Sequence, residues 1–329
     1  MSVLYAYVPT FRPVGGVIKA LDYAAAAAGL GWDVVVVCDE PFAADLPVFD
    51  VPRLAVLRGA GSAAPEEVGV TSDDIAFISW PSQYPDAAER LAPDVPHERI
   101  VHLVQNVRHA DPHWLGGLGR RLLSRPLSRI FTNHLVEEAC APLVHPTSLR
   151  TTIPLGHDVE FFRTERSGAL GRPIRVAYPT WKSAVGRRVE RSLAGDDRFE
   201  FESIEGIVAW PDLRAAYHRA DVVLGCPIPQ EGVYLPGVEA MAAGALLVIP
   251  DAGGNMAYCR FDENCIGATL EDEASYVAAL QRIAAMGEDE VASFRAAGHE
   301  TADTHSLERE AEAFGEFLGR VEHEARGRG

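Results

Sequence analysis

Glu231 and Glu239 stand eight positions apart in the run Glu231-Gly232-Val233-Tyr234-Leu235-Pro236-Gly237-Val238-Glu239-Ala240-Met241-Ala242-Ala243-Gly244, on either side of a glycine-bearing turn. Carboxylates accept hydrogen bonds from hydroxyl groups, and two of them on one turn can hold two parts of a polyhydroxylated ligand. Pro236 suits the first position of a helix, because proline presets φ and lacks only an amide that is unpaired there anyway. The amides around Leu235 to Val238 then point outward with the helix dipole behind them, a ready site for an anion. Gly232, Val233, Tyr234 and Leu235 are therefore expected to line a phosphate site. Glu239, about one turn inside the helix, is expected on vicinal hydroxyls of the same ligand, and Glu231, on the loop, on a different part of it. An anion at one point and hydroxyls at two others describe a sugar nucleotide.

The elements that must position these groups read as α/β. Apolar runs alternate with Ala-, Leu- and Arg-rich helical stretches, the pattern of parallel sheets. Strands are expected at 3–8, 33–38, 53–57, 74–79, 99–104 and 129–132, then at 174–178, 199–204, 221–225, 245–249 and 265–268. Several are continuously apolar, as strands covered on both faces must be. A chain of 329 residues is long enough for two modest domains. Its net charge of −17 argues against a general affinity for nucleic acid or anionic lipid, both of which demand a basic surface. Five cysteines, Cys38, Cys140, Cys226, Cys259 and Cys265, form no CxxC pair, which suggests reduced thiols and a cytoplasmic home. The N-terminus runs straight into Val3–Val8 with no basic leader, and no apolar stretch approaches the roughly 20 residues of a membrane span.

The Glu231–Gly244 run resembles the signature of retaining glycosyltransferases of the two-Rossmann (GT-B) class, in particular glycosyltransferase family four: Glu-Gly-aromatic-Gly-Leu-Pro-x-x-Glu-Ala-Met-Ala-x-Gly. Val233 replaces the aromatic residue, and Tyr234 stands where glycine is usual. The downstream Leu246–Asn255 segment fits as the next strand and its Gly253-Gly254 turn, without the Glu that often follows in the family. Thr152-Ile153-Pro154-Leu155-Gly156-His157-Asp158 is similar to the family's interdomain crossing, usually Ile-Pro-Asn-Gly-Val-Asp, and places the hinge near residue 155. The resemblance implies two Rossmann-like domains facing across a cleft: residues 1–155 on the acceptor side and 156–305 binding the nucleotide sugar. It also implies a last helix, about 306–329, that packs back on the first domain. The sequence of that helix shows only an amphipathic pattern, with Ala311, Phe314, Phe317, Leu318 and Val321 on one face.

Further site residues follow from the same resemblance. Gly15 and Gly16 form the loop after the first strand, which in the family lies near the donor diphosphate and the transferred sugar. The diphosphate is expected on Lys182 and Arg187, with Arg188 as a substitute, although the spacing of these residues departs from the family's Gly-Arg…Lys-Gly. Where many relatives carry a catalytic His, this chain has Gln105 or Asn106. His102 reads as a core residue, and Arg108 and His109 as cleft residues. Trp80 and Tyr84 read equally as an apolar platform for an acceptor or as packing at a strand–helix corner. The basic stretch Gly119–Arg129 reads as a solvated face, with membrane association an unfavoured alternative.

The chemistry implied is transfer of a glycosyl group from a nucleotide-diphosphate sugar to an acceptor hydroxyl, with retention of configuration by same-face attack. No cofactor or metal is expected. Helix amides and Lys182/Arg187 stabilise the leaving diphosphate, Glu231 positions the sugar and Glu239 the ribose. Two alternatives stay open: a nucleotide-sugar epimerase of the same fold, and a catalytically weak sugar-nucleotide-binding partner of another transferase. A nicotinamide dehydrogenase is excluded, since no G-x-G-x-x-G follows Val3–Val8.

Overall fold

The computed structural model of the chain describes residues 2–12, 15–43, 46, 52–166, 168–206 and 208–327. Pro13 and Val14, ahead of the glycine pair, and residues 328–329 of the expected last helix lie outside the described residues. The chain divides into two compact units, Met1–Pro154 with Glu308–Gly329, and Leu155–Leu307.

The first unit holds strands β1 (Val3–Tyr7), β2 (Asp33–Val37), β3 (Gly61–Ala63), β4 (Ile75–Ile78), β5 (Ile100–Val104), β6 (Ser128–Phe131) and β7 (Arg150–Thr152). They form one parallel sheet in the order β3-β2-β1-β4-β5-β6-β7. Helices α1 (Gly15–Gly29), α2 (Tyr84–Glu89), α3 (Leu118–Leu123) and α4 (His134–Cys140) connect them. β4, β5 and β6 are buried at every position, which explains their lack of alternation.

The strand expected at 53–57 is instead a 3₁₀ turn, Pro52–Gly59. Leu54 and Leu57, three apart, are both fully buried while Val56 between them is exposed. That is a helical spacing, which the four-residue apolar run 54–57 conceals. The three-residue strands β3 and β7 were not expected. The basic stretch divides in two. Arg120, Arg121 and Arg125 are exposed, whereas Arg129 is fully buried and donates to the carbonyls of Leu122, Leu123 and Arg125, capping the end of α3.

The second unit comprises α5 (Val159–Phe162), β8 (Ile174–Pro179), α6 (Val185–Ser192), β9 (Phe199–Ile204), α7 (Trp210–Arg219), β10 (Val222–Leu224), α8 (Leu235–Ala242), β11 (Leu246–Pro250), β12 (Ile266–Ala268), α9 (Glu273–Ala284) and α10 (Glu288–Asp303). Its five strands are parallel in the order β12-β11-β10-β8-β9. The last helix, α11 (Leu307–Gly327), belongs from Glu308 to the first unit. There Phe314 meets Tyr23 edge-on at 4.8 Å and Phe77 at 5.8 Å, and Phe317, Leu318 and Val321 are buried. Each sheet reverses its strand order once, between β1 and β4 in the first unit and between β8 and β10 in the second. Ligands of open α/β sheets bind beyond the carboxyl ends of strands at such a point.

Candidate functional site

The segment Glu231–Ala242 leaves the carboxyl end of β10 beside that reversal. α8 begins at Leu235 with Pro236 in its first turn, and no side chain caps it. Its entry residue, Tyr234, has φ 62° and ψ 65°, left-handed backbone that costs a bulky residue of order 1–3 kcal/mol and suits the glycine usual there. Three hydrogen bonds hold it. The Cys226 amide donates to the Tyr234 hydroxyl (2.9 Å), and the Tyr234 carbonyl accepts from the Tyr258 hydroxyl (2.8 Å) and the Gly237 amide (3.0 Å). Gly237 is required by that arrangement, since a Cβ there would fall onto the Tyr258 hydroxyl. Gly254 is required too, because a Cβ would land on the Gly232 carbonyl. Asn255, which follows the Gly253-Gly254 pair, is fully buried. It closes the neighbouring turn by accepting from the Ala252 amide (2.9 Å) and donating to the Pro250 carbonyl (3.0 Å).

Lys182 follows β8 and Glu231 follows β10, so the two meet across the reversal, Nζ to Oε1 at 2.6 Å. The same oxygen accepts from the Ile228 amide (3.2 Å), and Glu231 is pinned by backbone bonds to Ala252 and Gly254. The lysine also lies 5.2 Å from the centre of the Tyr234 ring, a cation–π contact. Thus Lys182, Glu231 and the start of α8 form one group, with Val233 and Tyr234 buried and Gly232 and Leu235 half-buried beside them. Arg187 is not in it. Along α6, Val185, Gly186 and Val189 face inward, which turns Arg187 outward to an ion pair with exposed Glu205. Arg188 pairs with Glu271 at 2.7 Å. Lys182 is therefore the cation of the expected set that meets Glu231.

Glu239, 6% exposed, is held by a residue that the sequence did not single out for the site. His157 Nε2 lies 2.9 Å from its Oε1. The Tyr217 phenol lies beside the same carboxylate, and burial together with that charge pushes it well above its ordinary value. The two residues of the His157–Glu239 pair are 82 positions apart, so no local pattern could have announced it.

In the first unit, Gly15 and Gly16 open α1 after β1. Gly16 accepts from the Gln105 side chain at 3.3 Å, which joins this loop to the end of β5. Trp80, just past β4, is exposed and meets Trp114 edge-on at 5.7 Å. Tyr84 does not join it. Its ring packs on the core and its hydroxyl faces His97 at 3.1 Å. Asn106 caps a 3₁₀ turn by accepting from the Arg108 amide at 2.9 Å, and Arg108 is half-buried. His109, expected as a cleft residue, is buried. Its Nδ1 faces the Asn106 carbonyl (2.9 Å) and its ring packs on His102 and Trp114. Burial pushes its imidazole down to about 4, with the Arg129 charge adding to the effect. His102 is a core residue, fully buried as the sequence suggested.

Among the described residues, no group of three or more His, Cys, Asp or Glu side chains is arranged to hold a metal ion. Among them too, no helix is long and apolar enough to cross a membrane. All five cysteines are free and buried.

No family model matches the chain, and no curated protein matches it. Solved structures do. The chain is similar to HepE of Anabaena in complex with UDP and glucose, with a TM-score of 0.73 at 12% identity over 97% of this chain and 100% of that one. It is similar to sucrose-phosphate synthase of Thermosynechococcus elongatus, at 0.69 and 14% over 98% and 99% of the two chains. A glycosyltransferase of Rickettsia africae follows at 0.65 and 11%, over 96% and 98%. At these identities the likeness carries the fold: two Rossmann-like domains of the GT-B class.

Proposed function

We propose that this chain is a glycosyltransferase that moves a sugar from a nucleotide-diphosphate donor to an acceptor hydroxyl, with the donor held by the Leu155–Leu307 unit. One observation carries the reading: Lys182 and Glu231 converge at the β8/β10 reversal beside the uncapped start of α8. An anion-binding helix end, a cation and a carboxylate in one group suit a diphosphate with a sugar attached. The fold is that of structures solved with UDP and with UDP-glucose, HepE among them, which supports the same donor class here.

Cleavage of the glycosidic bond leaves negative charge on the β-phosphate and positive character on the sugar. The α8 amides and Lys182 stabilise the first by fixed, preorganised dipoles and charge. Before donor arrives, Lys182 is occupied by Glu231. A bound diphosphate shares the ammonium and leaves Glu231 to accept from sugar hydroxyls. Glu239 accepts from the ribose. Transfer runs with retention, the leaving phosphate taking the acceptor's proton, and without a metal. Gly15 and Gly16 are assigned to the donor, and Asn106, Arg108 and Trp80 to the acceptor. Five buried thiols suit a reducing compartment.

A second reading draws on Arg187. Its pairing with Glu205 leaves the group around Glu231 with Lys182 alone of the cations the family motif supplies, which favours a sugar-nucleotide-binding protein of weak activity. A thermal-shift panel of UDP, GDP and dTDP, followed by transfer assays, separates the readings. A melting rise with one nucleotide, retained anomeric configuration by NMR and activity unchanged by EDTA support the proposal. Binding with no transfer to any acceptor supports the second reading, and turnover of donor without acceptor marks an epimerase.

A further inference from the structure

The carboxylate of Glu239 is anchored at one oxygen. Oε1 meets His157 Nε2, while Oε2 is buried and the Tyr217 hydroxyl lies beside the same carboxylate. An ionised carboxylate has about four lone-pair sites, so these neighbours leave it capacity to accept from a ligand hydroxyl.

His157 is built to hold that carboxylate still. It is 2% exposed, and its amide donates to the His305 carbonyl at 2.7 Å. Its ring stacks on Phe162 (5.7 Å, 17° between planes) and leans on Trp210 (5.3 Å). Backbone and ring are both fixed, so Nε2 has one place to be, and that place selects one rotamer of Glu239. The similar interdomain crossing carries valine at this position, which has nothing to donate.

We propose that His157 is a positioning residue for donor recognition: it aims Glu239 so that Oε2 accepts from the ribose hydroxyls of the nucleoside diphosphate. The inference rests on the donor site proposed above. His157 reaches the ligand through Glu239 alone, so it governs how well ribose hydroxyls are recognised and leaves the reacting atoms untouched.

The test compares UDP with 2′,3′-dideoxy-UDP by calorimetry on the full chain. The wild type is expected to prefer UDP by tenfold or more. His157→Phe keeps the stacking on Phe162 and Trp210 but loses the donor. It is expected to weaken UDP about tenfold, one charge-assisted hydrogen bond's worth, and to leave the dideoxy ligand nearly unchanged, so the preference collapses. In turnover, donor KM rises while kcat holds. His157→Gln, which restores an N–H, recovers most of the preference. An unaltered UDP preference in a folded His157→Phe protein overturns the inference and leaves the donor site standing. If His157→Phe does not fold, a folded His157→Gln protein decides: a retained preference supports the inference and a lost one overturns it. A wild type that binds UDP with no preference over the dideoxy ligand also overturns it. A wild type that binds no nucleoside diphosphate removes both.

Discussion

Two lysines make the same contact in different settings. Lys19 reaches Glu310 and Lys182 reaches Glu231, each with Nζ 2.6 Å from a carboxylate oxygen, yet the Lys19 side chain is 1% exposed and that of Lys182 is 30%. Lys19 also pairs with Asp22, which Arg53 engages at 2.7 Å, so two cations and two anions neutralise one another inside the first unit. Burial pushes the Asp22 carboxyl up, but Lys19 and Arg53 outweigh it and hold the group below its ordinary range. That network fastens α11 to α1. In the Lys182 pair the carboxylate is buried but the ammonium is partly open to solvent, and both are anchored on loops beside the start of α8. The two pairs are alike in contact distance; they differ in the enclosure of the lysine and in the surrounding charges.

The contrast is broken most severely by Lys19→Ala. It leaves Glu310 and Asp22 buried beside one remaining cation and is expected to cost about 3–5 kcal/mol, read by urea or thermal unfolding. Lys182→Ala is expected to cost less stability than Lys19→Ala, because the lysine end of its pair is open to solvent and the Ile228 amide still serves Glu231, while weakening UDP binding tenfold or more by calorimetry. If the two stability effects come out equal, the distinction fails.

A smaller loss attends Tyr234→Phe. It removes the acceptor of the buried Cys226 amide and is expected to cost about 1–3 kcal/mol, with weaker UDP binding because α8's entry shifts. Unchanged melting and binding would mean that the Cys226 bond does not hold the turn.

Acid sharpens the first unit's side. His109 is pushed down to about 4 from an ordinary 6.5. Above pH 6.5 it is neutral whether folded or not and its contribution is constant. Between 6.5 and about 4 the unfolded chain takes up a proton that the folded chain refuses, so stability is lost as the pH is lowered, by up to about 1.4 kcal/mol per unit. Below that window Asp22 adds its own loss, since its depressed carboxyl is protonated first in the unfolded chain. Buried His102, pushed well below its ordinary value by burial and the neighbouring His109 and Arg129, contributes in the same window, so His109→Asn is expected to reduce the slope between 6.5 and 4 without abolishing it, in melts at stepped pH. An unchanged slope would assign it to another group.

The smallest effect belongs to Arg187→Ala. Its partner Glu205 is exposed, so stability and kcat/KM are expected to change far less than in Lys182→Ala. Equal losses in the two variants would return Arg187 to the donor site.

Sequence carried the architecture because buried parallel strands are continuous apolar runs, and Glu231–Gly244 stood out because a chain turn and its chemistry lie within fourteen residues. It misled where few residues had to decide a period, as in the 3₁₀ turn at Leu54 and Leu57. It also misled where a helix's rotation decides which way a cation points: Arg187 sits in a promising run, but inward-facing Val185 and Val189 turn it away. Tyr234 was legible as a departure from glycine, but the three bonds that hold it in left-handed backbone were not. His157 could not be assigned to the site at all, since its meaning comes from Glu239, far along the chain.

The central claim is that the entry to α8, with Lys182 and Glu231, holds the diphosphate of a sugar nucleotide. A crystal structure with UDP bound tests it directly. The account predicts β-phosphate oxygens within hydrogen-bond distance of the α8 amides and Lys182, with the ribose at Glu239. Phosphates bound elsewhere, with the Lys182–Glu231 pair undisturbed, would contradict it.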